Sequence, residues 1–277
     1  MTPITSAAKK PHLTNIQDSA ELYAQDNISY WSKRSFSYSK NKQDELGTAQ
    51  HALWAQTLDQ RIRERFPAKS REEICVLDVG TGPGFFAIVL TELGYRVTAA
   101  DYTPAMLAQA KHNAGPLAAR IRFCRMDAQD LHLKDNTFDV VVTRYLTWNL
   151  PDPARAYSEW CRVLKPGGLL LNFDANWYRY LYDDHALAGH LDDRLNVADS
   201  GCFDDTAGTD IDAMESIARR APLSAQTRPA WDLQTLAGCG MTPEADPDIW
   251  KSLWTHEEWM NNASTPMFLI SAVKDNT

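Results

Sequence analysis

The sequence predicts an α/β fold, an open sheet with helices on both faces, and three observations carry that prediction. First, the apolar run 74–79 enters the turn Gly80-Thr81-Gly82-Pro83-Gly84 and leaves it into a helix-competent run from Phe85 to Leu93. A strand, a Gly-rich turn and a helix N-terminus in that order make the front half of a nucleotide-cofactor site. Second, the strand 96–100 ends in Asp101, 21 residues after Gly80, where a carboxylate meets the paired hydroxyls of a ribose. Third, strand-like and helix-like segments keep alternating as far as Phe173, the order expected of crossover units.

Taken in order, residues 49–65 read as a helix leading into the first strand, with Leu53, Leu58 and Ile62 on its apolar face. Alternate glycines in the turn let backbone approach a ligand where a Cβ would collide. The loop is G-x-G-x-G and lacks the G-x-G-x-x-G spacing of a dinucleotide site, which counts against a nicotinamide cofactor. Thr103-Pro104 opens a helix running to about Asn113. A short strand, 121–126, then ends at Asp127-Ala128. A site that reads adenine needs an acid at that point: the carboxylate accepts from the exocyclic amine, and the following amide donates to a ring nitrogen. Residues 138–143 form a buried fourth strand. Asp152-Pro153 caps a helix over 154–164, and Lys165-Pro166-Gly167-Gly168 turns the chain into a fifth strand, 169–173.

With these segments in order, the chain resembles the class I S-adenosylmethionine-dependent methyltransferases, in the small-molecule branch similar to the ubiquinone and menaquinone biosynthesis enzymes. LDVGTGPG, the acid of AADYTPAML, the acid of MDAQDL, FDVVVTRY and VLKPGG carry the resemblance, over roughly residues 70 to 175. It implies a Rossmann-like seven-stranded sheet with an antiparallel last strand, and S-adenosyl-L-methionine as cofactor, leaving S-adenosyl-L-homocysteine as product. It places Asp78 and the loop residues Gly80, Thr81, Gly82 and Gly84 near the methionine end, Asp101 at the ribose, and Asp127 with Ala128 at the adenine. Tyr102, Met106, Thr143 and Arg144 complete the core's expected cofactor set. It also implies that N-terminal helices lie over the cofactor, which makes Tyr30 and Tyr38, from an aromatic-dense stretch, the lid candidates.

The division expected is an N-terminal helical lid (1–66), a cofactor-binding core (67–175), an inserted acceptor cap (176–229) and a return to the sheet (230–277). In the last part, 231–238 reads as a helix closed by Gly238 and Gly240, 248–254 as strand six, and 267–273 as strand seven. The insertion lies at the carboxyl edge of the sheet, where open α/β sheets bind ligands, and exceeds an ordinary connection in length. Candidates for proton transfer there are Asp174 at the end of strand five, Tyr145 at the end of strand four and His185 in the cap, with His190 also near that edge. The cap is rich in aspartate, but D-x-[DN]-x-[DN]-G is absent and no metal is expected.

Composition narrows the partners. The 277 residues are 44% hydrophobic, enough for a full core, and carry a net charge of −8. An acidic chain without a basic stripe is a poor match for a phosphate backbone, so no nucleic acid is expected. No window is long and apolar enough for a membrane span, and residues 1–14 read as a polar leader, not a secretory signal. Five scattered cysteines without C-x-x-C fit a reducing cytoplasm. The expected activity is methyl transfer to a small-molecule acceptor, with a protein or tRNA methyltransferase and a non-catalytic cofactor-binding regulator as the alternatives. Oligomeric state is not legible.

Overall fold

The first strand, β1 (Cys75–Val79), is buried from Val76 onward because it has a strand on each side and helices on both faces. The computed structural model describes residues 14–276, so the leader expected over 1–14 lies outside the described residues save for Thr14. A helix α1 (Thr14–Leu46) and a helix α2 (Ala49–Arg65) precede β1. After it come α3 (Phe85–Glu92), β2 (Arg96–Asp101), α4 (Pro104–Ala114), β3 (Arg122–Arg125), β4 (Phe138–Arg144), α5 (Pro153–Val163) and β5 (Leu164–Asp174). The insertion contributes α6 (Asp184–Ser200) and α7 (Ile211–Ala218). The chain closes with α8 (Ala230–Gly238), β6 (Met241–Asp246), α9 (Trp250–Leu253), α10 (His256–Asn262) and β7 (Phe268–Lys274).

These strands form one seven-stranded sheet in the order β3-β2-β1-β4-β5-β7-β6, parallel except for β7, which runs antiparallel to both neighbours. The order reverses between β1 and β4, so the loops leaving those strands diverge and open a crevice at the carboxyl edge. One face packs on α2, where Trp54, Leu58 and Ile62 are fully buried. Trp54 meets Phe86 and Phe173 edge-on at ring distances of 5.1 and 5.0 Å. Leu53, expected on this face, is 42% exposed; the helical stripe runs through positions 54, 58 and 62 and leaves 53 one position round. The other face packs on α5 through Tyr157 and Trp160.

Two expectations are corrected. Strand six is not at 248–254: it is β6, directly after Gly240, whose φ of 75° turns the chain out of α8. Pro243 sits within it, which is tolerated because β6 is an edge strand paired only with β7. Residues 250–253 are instead helical, and Trp250 stacks on Trp259 at 4.6 Å. Similarly, Lys165–Gly168 is no turn ahead of the strand but an irregularity inside β5. Pairing jumps from Phe138↔Leu164 to Val140↔Leu169, leaving four residues of β5 looped out opposite one of β4.

Helix α1 crosses the carboxyl edge as one rod of 33 residues, about 50 Å at the α-helical rise. It packs on α7 through Tyr23 and Tyr30, which join Met214, Ile217 and Ala218 in a third apolar cluster separate from the sheet's two. The N-terminal helix and the insertion therefore cover the same edge together. No helix among the described residues is long and apolar enough to cross a membrane.

Candidate cofactor and acceptor cavities

The loop after β1 is tied down from below by Asp78, fully buried, whose carboxylate accepts from the Thr81 hydroxyl at 2.6 Å. Burial pushes the Asp78 carboxyl up to about 7, against the opposing pull of Thr81. A folded-state value above the unfolded one favours the protonated acid. Its contribution to stability is therefore present at about pH 4 and lost as pH rises through about 7. We expect wild-type unfolding free energy to fall over that window relative to Asp78→Asn in denaturant titrations. Parallel pH profiles for the two proteins would contradict the assignment.

Above this support, Gly80 has φ 67°, and a Cβ there would lie 2.7 Å from the Leu146 side chain. Gly82 has φ 53°, and its Cβ would touch only Tyr38 at 3.8 Å and the Gly80 carbonyl at 4.0 Å, both ordinary contacts. Gly84 differs: its Cβ would press on Ala110 at 3.0 Å, so this glycine serves the packing of the turn on α4. Asp101 holds the loop from the side, accepting from Gly82 N at 2.9 Å and from Thr103 N at 2.8 Å. Its burial raises the carboxyl's pKa.

These residues border a cavity of about 160 Å³. Its lining includes Tyr38, Gly80, Gly82, Asp101, Tyr102, Met106, Asp127 and Ala128 from the expected set. The remaining members fall elsewhere. Asp78, Thr81 and Gly84 support the loop without lining the cavity. Thr143 is fully buried within β4. Arg144 lies under the rings of Trp54 and Phe85, at 4.3 and 5.0 Å from their centroids, and donates to Glu45 at 2.8 Å. Burial opposes ionisation of Glu45, but Arg144 and Lys42 together hold its carboxyl at about 2. Arg144 thus anchors the end of α1 to the core.

Helix α1 supplies the roof. Asn27 Nδ2 donates to the Asn149 carbonyl at 3.0 Å, and Asn149 Nδ2 returns a bond to Asn27 Oδ1 at 2.8 Å. Tyr23 donates to the Asn149 carbonyl at 3.1 Å. Trp31 and Tyr38 border the cavity with rings 5.6 Å apart. Tyr30, expected beside Tyr38, faces away and joins the α7 contact. Trp31 is the residue sequence reasoning misses, and its signal is present: 31 and 38 are seven apart and nearly in line along the helix, whereas 30 is set further round from 38.

Trp31 and Tyr38 also border a second cavity, of about 720 Å³, between α1 and the insertion. Its walls are aromatic: Tyr30, Tyr145, Trp148, Trp177, Tyr178 and Trp254. Tyr145 and Tyr178 hold left-handed backbone, φ 57° and 47°, just past β4 and β5. Strain of that kind in bulky residues clusters at functional sites. Here it accompanies the two turns that put these rings on the cavity wall.

None of the three proton-transfer candidates stands both unbonded and on a cavity wall. Asp174 is fully buried and accepts from Arg228 at 2.8 Å, Ala175 N at 2.9 Å and Trp148 N at 3.0 Å. Arg228 also pairs with Asp232, at 2.9 and 2.8 Å. Burial raises the Asp174 pKa and Arg228 opposes it. His185 is exposed on α6 and lines neither cavity. Tyr145 is a wall residue, but its hydroxyl accepts from Trp254 Nε1 at 3.1 Å and donates to Met267 Sδ at 3.2 Å, and burial raises its pKa. His190, one helical face away from His185, is the histidine on the second cavity. It stacks flat on Tyr180 at 4.0 Å, and burial lowers its pKa. Among the described residues, no group of three or more His, Cys, Asp or Glu is placed to hold a metal ion.

Residues 77–172 match the family model described as a methyltransferase domain. A demethylmenaquinone methyltransferase of Thermus thermophilus is 39% identical over 98 residues, 35% of this chain and 44% of its own length. That of Deinococcus radiodurans is 41% identical over 98 residues, 41% of its length. The chain thus covers less than half of these relatives. Among solved structures, a provisionally named methyltransferase in complex with the Haloferax volcanii Trm112 methyltransferase activator superposes with a TM-score of 0.57. It shares 20% identity and covers 88% of this chain and 97% of its own. A Galdieria sulphuraria protein, provisionally named a sarcosine dimethylglycine methyltransferase, gives 0.54 at 14% identity, covering 80% and 85%. Both share the class I methyltransferase fold. The family match implies S-adenosyl-L-methionine as cofactor, and the first cavity fits it: Gly82 leaves open the space a Cβ would fill, and carboxylates stand at the tips of β2 and β3.

Proposed function

We propose that this chain is an S-adenosylmethionine-dependent methyltransferase acting on a small-molecule acceptor, with cofactor in the first cavity and acceptor in the second. The observation that carries this reading is the meeting of the two cavities at Trp31 and Tyr38. A donor and an acceptor must touch, and these two rings border both spaces.

In this reading Asp101 accepts from the ribose hydroxyls, Asp127 and Ala128 bind the adenine edge, and Gly80 with Gly82 brings backbone against the methionine end. The sulfonium cofactor supplies an electrophilic methyl group. The chain supplies alignment and dryness: α1 closes the roof through Asn27 and Asn149, and the aromatic walls exclude water from the line of transfer. Orientation of this kind is worth several kcal/mol, on the order of 7 to 11 in favourable cases. The family match ends at residue 172, ahead of the insertion that builds much of the acceptor cavity. The acceptor of the demethylmenaquinone relatives is therefore not carried over.

Calorimetry with S-adenosylhomocysteine tests the cofactor half, and saturable one-to-one binding is expected. Label transfer from methyl-labelled cofactor into a small-molecule extract, with the product identified by mass, tests the rest. Binding without label in small molecules, but with label in protein or tRNA, would replace the acceptor assignment. Binding with no transfer at all would favour a regulator.

A further inference from the structure

Among the described residues, one arginine or lysine on the second cavity has no counter-charge. Of the basic side chains lining it, Lys42 pairs with Glu45 at 2.6 Å and Arg194 with Asp204 at 2.9 Å. Arg34 makes no ion pair among the described residues. Its Nη1 lies 3.4 Å from the Tyr30 hydroxyl, a long contact, and its Nε is buried with no partner. A second buried donor on the same lining, Trp177 Nε1, is likewise without a partner. The buried or half-buried acids on this lining have partners: Glu45 has Arg144 and Lys42, Glu258 has Gln50, and Asp193 accepts from Ser264, while Glu257 is exposed to solvent.

Arg34 is half-buried, but its Nε has given up water without gaining a partner, and buried donors are ordinarily paired. An open fork on a ligand cavity matches one chemistry in particular, a planar carboxylate bound by two parallel N–H bonds. Arg34 lies three residues after Trp31 and four before Tyr38, so all three share a face of α1 and stand beside the junction. Unlike those two rings, Arg34 borders only the second cavity. The carboxylate it awaits therefore belongs to the acceptor and not to the methionine end of the cofactor.

We infer that the acceptor is an aromatic or similarly flat molecule carrying a carboxylate, and that Arg34 binds that carboxylate against the Trp and Tyr walls. This rests on the assignment of the second cavity to the acceptor. Arg34 anchors no other element, so Arg34→Gln keeps the fold and its loss of binding is interpretable.

The test titrates the full chain, saturated with S-adenosylhomocysteine, with 4-hydroxybenzoate and 3-(4-hydroxyphenyl)propanoate and with the primary amide of each. We expect the acids to bind at least about tenfold tighter than their amides, the effect of a charge-assisted pair at a half-buried site. Arg34→Gln should erase that preference, and Arg34→Lys should restore only part of it. The affinity for S-adenosylhomocysteine should stay within about twofold of wild type in both variants, since the cofactor cavity does not contain Arg34. Equal binding of acid and amide, no binding of either acid, or a preference surviving in Arg34→Gln would overturn the inference. A fall in S-adenosylhomocysteine affinity in Arg34→Gln would overturn it too, by assigning the arginine to the cofactor's own carboxylate. Failure of S-adenosylhomocysteine to bind the wild-type chain would instead remove the two-cavity reading beneath it.

Discussion

Asp101→Ala lowers the affinity for S-adenosylhomocysteine by about a hundredfold or more while the chain stays folded. The carboxylate stands at the tip of β2 on the cofactor cavity, and its oxygens already hold the Gly82 and Thr103 amides. Removing it takes away the partner of the ribose and also releases the loop that shapes the methionine end. Hydrogen bonds to a charged group contribute about 1.5–3 kcal/mol each, so losing those to the ribose and the grip on Gly82 together reaches that size. Asp101→Asn keeps the shape and an accepting oxygen, and should lose less. Calorimetry on both variants, with thermal unfolding as the check on folding, separates the two effects. Unchanged affinity in Asp101→Ala would remove the ribose assignment, and with it the placement of the cofactor.

The second large effect is on stability. Asp174→Ala leaves Arg228 buried beside Asp232 with half its countercharge gone, and strands the amides of Trp148 and Ala175. Breaking a buried pair from one side costs about 3–5 kcal/mol, which denaturant titration will show as a lowered midpoint. The wider network makes the loss cooperative: Tyr157 donates to Asp232 at 2.6 Å, and Asn172 donates to Tyr157 at 2.8 Å. Any loss of methyl transfer in Asp174→Ala should then track the unfolded fraction. A variant of wild-type stability without activity would return Asp174 to the role of a proton acceptor. Arg228 lies 54 residues away in sequence, at the far end of the insertion, which is why an acid at a strand end reads as available for chemistry.

The sequence reading succeeded where the signal is local. The strand-turn-helix at 74–93, the acids closing β2 and β3, and the cap at Asp152 each depend on neighbours a few residues apart. Backbone geometry then fixes what those neighbours can do. It failed at Leu53 and at strand six for a related reason. Period and β-propensity define a stripe or a run, but whether Trp54 or Leu53 faces the sheet, and whether 250–253 coils into a helix, depends on what packs opposite. At the candidate site the same division holds. Gly80, Gly82, Asp101, Asp127 and Ala128 all border the first cavity, because β1, β2 and β3 lie side by side and end on one rim.

The sequence by itself determined the order of strands and helices, the glycine turn and the acids at the rim, all consequences of short-range geometry repeated along a sheet. Only the tertiary structure decided that Trp31 borders the first cavity, that His190 and not His185 lines the second, and that Asp174 is bound to Arg228. Those outcomes turn on distances between α1, the insertion and the sheet edge. Segments far apart in the chain meet there through burial, which is non-directional and leaves no periodic mark in the order of residues.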